Sequence, residues 1–143
     1  MGMCEIMEET TAAGGHPHEN RLTADRYSVV AIRAREIASL NASYQNERAP
    51  EVKTRLTGKV DSFLGYLVSQ FRNTPSSTDV RWALRNDTID PLNKDEIAGL
   101  SDGIIPIVVV RSLMRRHRLM VDIRGLQSWN QFRDRYEAPI LNS

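Results

Sequence analysis

From Tyr27 onward, Val30, Ala31, Ala34, Ile37 and Ala38 return at intervals of three and four, which predicts one buried stripe on an amphipathic helix. Thr23 stands where a cap is expected, and Asp25 follows in the first turn, where the helix dipole favours negative charge. Small residues on the stripe let another element approach the helix backbone closely. Arg26, Arg33 and Arg35 fall off the stripe and are expected to face solvent or a partner. Residues 41–50 read as a connector. A second helix is predicted over 50–71, with Pro50 in its first turn and Leu56, Val60, Phe63, Leu64, Leu67, Val68 and Phe71 on its apolar face. Gly58 and Gly65 weaken it by about 1 kcal/mol each relative to alanine, and read as points of close approach to another helix.

The run NTPSSTD predicts a loop, after which Thr78 is placed to cap a short helix through Leu84 that carries Trp82. Asp90-Pro91 then has the order of a cap and a first helical residue, Ile97 and Leu100 supply a buried edge, and Gly103 suits a left-handed helix end. The β-branched run IIPIVVVRSL predicts a strand over 105–113. Arg115, Arg116, His117 and Arg118 form a polar turn. Leu119, Val121 and Ile123 alternate with Met120, Asp122 and Arg124, as a half-buried antiparallel partner strand does. Trp129, Phe132 and Tyr136 follow at helical spacing, to pack on the domain or to meet a partner. The polar stretch 1–20 lacks a hydrophobic period and reads as a flexible tail.

These elements make an α+β class: a small helical domain of three to four helices with a C-terminal two-stranded antiparallel β-hairpin, one domain over 21–143. At 143 residues, with 41% apolar and 26% charged positions, the chain is long enough to bury one core and ordinary enough in composition to be globular. The formal net charge of +1 gives no overall pull toward nucleic acid. Cys4 is the only cysteine, so no intramolecular disulfide can form and a reducing compartment is expected. The acidic start MGMCEIMEETT is unlike a signal peptide, and the longest apolar run, broken by Pro106, is too short for a bilayer. An intracellular or virion location follows as the expectation, with no membrane partner.

Little in the chain suggests catalysis. Cys4, His16, His18 and His117 lack the spacing of a metal site, so no metal and no cofactor are expected. His117 sits among arginines, no G-x-S-x-G is present, and glycine-rich phosphate loops are absent. Asp95 and Glu96 are adjacent on a helix and point apart, so they serve the helix dipole better than a carboxylate pair. No small-molecule substrate is expected. Arg115, Arg116 and Arg118 are the candidates for phosphate contact, against the plainer reading of a solvated turn.

Two segments together resemble the omega family of RNA polymerase subunits, which includes bacterial omega, archaeal subunit K and the eukaryotic sixth subunit. One is LTADRYSVVAIRAREIA at 22–38, similar to the family's threonine cap, aromatic and helix closing on R-A-x-x-(I/L)-A. The other is DPLNKDEIAGLSDGIIPIVVVR at 90–111, similar to its D-P, short helix, glycine turn and I-P-I strand ending in arginine. The chain departs from the family in a helical insertion over about 41–89, in Gly99 where relatives often carry glutamate, and in lacking a long acidic N-terminal arm.

The resemblance implies an omega-like core and a divergent member, from a large DNA virus or a distant eukaryotic lineage. It also implies a non-catalytic role: docking on the largest polymerase subunit near the clamp, aiding assembly and stability, and meeting DNA only indirectly. Its location would be the nucleus, or a cytoplasmic viral factory or virion. By the same resemblance Arg26, Arg33, Arg35, Pro106, Arg111 and Trp129 become the candidate partner-binding residues. The competing expectations are a stand-alone nucleic-acid-binding protein using the basic turn, and a helical adaptor or viral structural protein using the 50–71 helix.

Overall fold

In the computed structural model, residues 17–86 and 88–136 are described, with side chains from Arg26 onward. The chain runs α1 (Pro17–Glu47), α2 (Pro50–Gln70), α3 (Ser77–Arg85), α4 (Lys94–Ala98), α5 (Ile105–Arg115), a 3-10 turn (Ile123–Gly125) and α6 (Trp129–Tyr136). Helices α1 and α2 form an antiparallel hairpin. α6 packs on α2, α4 on α1, and α5 lies between α3 and α1.

α1 is longer than its sequence pattern suggests. It starts at Pro17, so Thr23 lies inside it rather than at its cap, and most of the expected tail over 1–20 falls outside the described residues. It also continues through the expected connector. Asn41 and Tyr44 extend the stripe of Val30, Ala34 and Ile37 at steps of three and four, and Asn41 is buried. The helix ends only at Arg48, whose φ of 56° is left-handed and whose N–H donates to the Tyr44 carbonyl at 2.8 Å. α2 follows the expected face closely: Leu56, Val60, Phe63, Leu64, Leu67 and Phe71 are all buried. Gly65 faces Ser128, whose Oγ would lie 3.4 Å from an added Cβ, whereas Gly58 has nothing near it.

α3 is capped by Ser76, not Thr78. The Ser76 hydroxyl accepts from Asp79 N–H at 3.1 Å, and the Asp79 carboxylate accepts from Ser76 N–H at 3.2 Å. Asp90-Pro91 forms a turn ahead of α4, and Asn93 is the cap, its Oδ1 accepting from Asp95 and Glu96 N–H. Glu96 reaches back to accept from Asp90 N–H at 3.1 Å. α4 ends at Gly99 in right-handed geometry. Gly103 comes later in the chain, buried against Pro75.

The expected β-hairpin does not form. Among the described residues there is no strand, and the class is all-helical rather than α+β. The run Ile105–Arg115 is a helix in which every residue from Ile105 to Leu113 is buried. A short apolar run looks the same in a buried strand and in a helix buried on all sides, and its pattern alone does not separate them. Pro106 occupies the first turn, where its missing N–H costs nothing, whereas inside a strand it would have removed a ladder bond. Strand propensity of β-branched residues is modest and depends on packing, so enclosure by neighbouring helices overrides it.

The residues after α5 then serve as its cap. Arg118 takes a left-handed φ of 53°, and Leu119 N–H donates back to the Leu113 carbonyl at 3.2 Å, turning the chain back over the helix end. Leu119 and Val121 pack half-buried on the core. Ile123 is buried in a 3-10 turn capped by Asp122.

Candidate functional site

Residues 22–38 and 90–111 lie far apart in sequence and pack together in the fold. Arg35 on α1 donates from Nη2 to the Leu92 carbonyl at 2.9 Å. Arg26 pairs with Asp102 at 3.1 Å, donates from Nη1 to the Gln70 carbonyl at 2.8 Å, and lies over the Phe71 ring at 4.6 Å. Tyr27 Oη reaches the same carboxylate at 3.5 Å. Arg33 stacks 4.6 Å above Tyr66. Burial raises the Tyr66 phenol above its ordinary range, while Arg33 and Arg26 pull the other way. All three candidate arginines of α1 are therefore engaged within the chain, and Arg26 keeps only 19% of its side chain exposed.

The other candidates divide by burial. Pro106 and Arg111 are buried on α5, and Trp129 is buried where α6 packs on α2. Trp129 stacks on Phe132 at 5.8 Å, and Phe132 meets Tyr136 at 4.9 Å. The Tyr136 hydroxyl donates to the Phe71 carbonyl, and burial holds its phenol above the ordinary range. Arg115, Arg116 and Arg118 are exposed at the end of α5. Arg116 donates to the Thr88 carbonyl at 2.8 Å, and the Arg118 carbonyl accepts from Asn41 at 3.2 Å and Gln45 at 3.1 Å. No group of three or more His, Cys, Asp and Glu residues suited to a metal occurs among the described residues. No helix among them is long and apolar enough to cross a membrane. Cys4 and His16 lie outside the described residues.

A surface that the sequence pattern did not single out stands at the junction of the two segments. Ile32 is 50% exposed, the large apolar side chain left open among the described residues. It points about 200° around the helix from Val30, directly away from the buried stripe. A groove runs along each side of it. One, of about 390 Å³, is bounded by Arg35, Glu36, Leu40, Arg55 and Lys59 between α1 and α2. The other, of about 540 Å³, is bounded by Ser28, Arg35, Asp90, Leu92 and Lys94 between α1 and the start of α4. Its signal was present in the sequence: an isoleucine out of phase with its own helix stripe, set among charged neighbours.

This arrangement has an apolar centre, a charged rim and two flanking grooves. No family model, no curated protein and no solved structure matches this chain.

Proposed function

We propose that this chain is a non-catalytic subunit of a DNA-directed RNA polymerase, docking on the largest subunit to aid assembly and stability. The observation that carries the reading is the joining of the two omega-resembling segments. Residues 22–38 and 90–111 pack on one another through Arg35 to Leu92 and Arg26 to Asp102, and leave Ile32 open at their junction. The insertion over 41–89 continues α1 and adds α2 and α3 around that unit without separating its parts. The I-P-I run contributes a buried helix here, so the support from 90–111 lies in its sequence and in the Asp90–Asn93 turn, not in a strand.

Assembly with a polymerase would put the protein in a nucleus or in a viral factory or virion. The helical-adaptor reading gains nothing from the fold, because the apolar face of α2 is spent on the chain's own core. The test is affinity capture of the full chain from its native source, with mass spectrometry of what is retained. Recovery of the largest polymerase subunit in near-equal amount is expected, and Ile32→Asp should reduce it. A capture containing no polymerase subunit overturns the reading.

A further inference from the structure

The charges around Ile32 do not balance, and the imbalance specifies what can cover it. The two grooves are lined by four cations, Arg35, Arg55, Lys59 and Lys94, against two anions, Glu36 and Asp90, and Glu36 meets Lys59 at 3.5 Å. Arg55 and Lys94, one on each side of Ile32, have no hydrogen-bond or ion-pair partner among the described residues. The whole chain carries only +1, so this excess is a property of one face.

Resting on the docking reading above, we propose that the Ile32 face takes an acidic amphipathic segment of the partner protein. An aliphatic or aromatic side chain of that segment covers Ile32, and its carboxylates meet Arg55 on one flank and Lys94 on the other. Opposed charge at the rim selects the partner and its register, while the apolar centre holds it. Nucleic acid fits less well, since a phosphate backbone has no use for Ile32 and Leu40. A second copy of the chain also fits poorly. Among the described residues it offers no other exposed large apolar side chain, and pairing this face with itself opposes like charges.

The experiment places a photo-crosslinking benzoylphenylalanine at position 32 of the full chain in its native source. Irradiation and peptide mapping then identify what lies over that position. The expected product is a peptide of net negative charge from one partner. Arg55→Glu combined with Lys94→Glu should lower the cross-link yield by about tenfold, and Glu→Lys changes in the mapped segment should restore it. Circular dichroism of the variants checks that these exposed substitutions leave the fold intact.

A product with nucleic acid, a product with a second copy of this chain, a neutral or basic peptide, or a yield indifferent to the charge reversals overturns the proposal. Polymerase recovered intact without any product at position 32 overturns it while leaving the docking reading in place. An acidic peptide with charge-swap rescue but from a protein other than polymerase supports it while removing the polymerase reading.

Discussion

Asn41 is the residue whose replacement tests the fold most directly. Its side chain is buried at 1% exposure, and it holds the chain leaving α5. Nδ2 donates to the His117 carbonyl at 2.7 Å and the Arg118 carbonyl at 3.2 Å, and Oδ1 accepts from Met120 N–H at 2.9 Å. Asn41→Ala removes all three. The Arg118 carbonyl keeps its second donor, Gln45 Nε2 at 3.1 Å, so two groups are orphaned: the His117 carbonyl and the Met120 N–H. At about 0.5 to 1.5 kcal/mol for each of these part-buried groups left without a partner, the loss is about 1 to 3 kcal/mol. Against a total stability on the order of 5 to 15 kcal/mol this is appreciable, and it corresponds to a fall of about 2 to 12 °C in Tm. Asn41→Asp keeps an acceptor for Met120 but turns a carboxylate oxygen on the His117 carbonyl. It should lose at least as much at neutral pH and recover part of it once the introduced carboxyl is protonated. Urea unfolding followed by circular dichroism measures the loss, and amide exchange at Met120 reports it locally. A loss under about 0.5 kcal/mol, below the typical worth of one hydrogen bond, with Met120 still protected, would refute the clamp.

Other outcomes follow from the same geometry. A double-mutant cycle with Arg26→Ala and Asp102→Ala should give a coupling of about 1 kcal/mol or less, because both side chains are partly exposed and the pair is screened; raising the salt should shrink it, and a salt-independent coupling would contradict an ionic origin. Tyr136 and Tyr66 have phenols raised by burial, so their neutral forms are favoured in the folded state; stability should be intact below the ordinary tyrosine range and fall as pH rises above about 10, and Tyr136→Phe should flatten part of that decline in alkaline unfolding curves. Gly58→Ala fills open space on an exposed turn of α2 and should stabilise by about 0.5 to 1 kcal/mol, read as a raised urea midpoint. Ser76→Ala removes one half of a reciprocal cap and should cost about 1 kcal/mol, leaving capture through the distant Ile32 face unchanged.

The faces of α1, α2 and α6 were legible because their apolar residues keep helical phase and stay on one side. Leu56 to Phe71 shows this for α2, and Trp129, Phe132 and Tyr136 for α6. Two helix ends were not legible, for a common reason. The turns that follow α1 and α5 each contain an arginine with positive φ, Arg48 and Arg118, where glycine or asparagine is the usual sign. Without that sign, the polar letters after Ala38 looked like a connector, although Asn41 and Tyr44 continued the stripe. A buried asparagine reads as loop in composition and as core only once its three backbone partners are known. A helix stripe marks the residues that agree with it, whereas Ile32, exposed on the opposite face, is legible only as a residue that disagrees with it.

The exchange of a strand for α5 changes how a partner can be held. A hairpin would have left an open edge, and a partner chain could then have added to it through backbone hydrogen bonds. Among the described residues no such edge exists, and the run that was expected to supply it is enclosed from Ile105 to Leu113. Recognition at the described surface therefore has to run through side chains. That makes it sensitive to single substitutions: a backbone-mediated contact tolerates Ile32→Asp or a reversal of Arg55, while a contact built on one apolar centre and two flanking cations does not. The segment from Asp90 onward thus contributes twice, through α5 inside the core and through Asp90, Leu92 and Lys94 on the rim of the groove beside Ile32. A substitution within α5 should abolish docking only by unfolding the protein, whereas one at Ile32 should abolish it with the fold intact, and circular dichroism beside affinity capture separates the two.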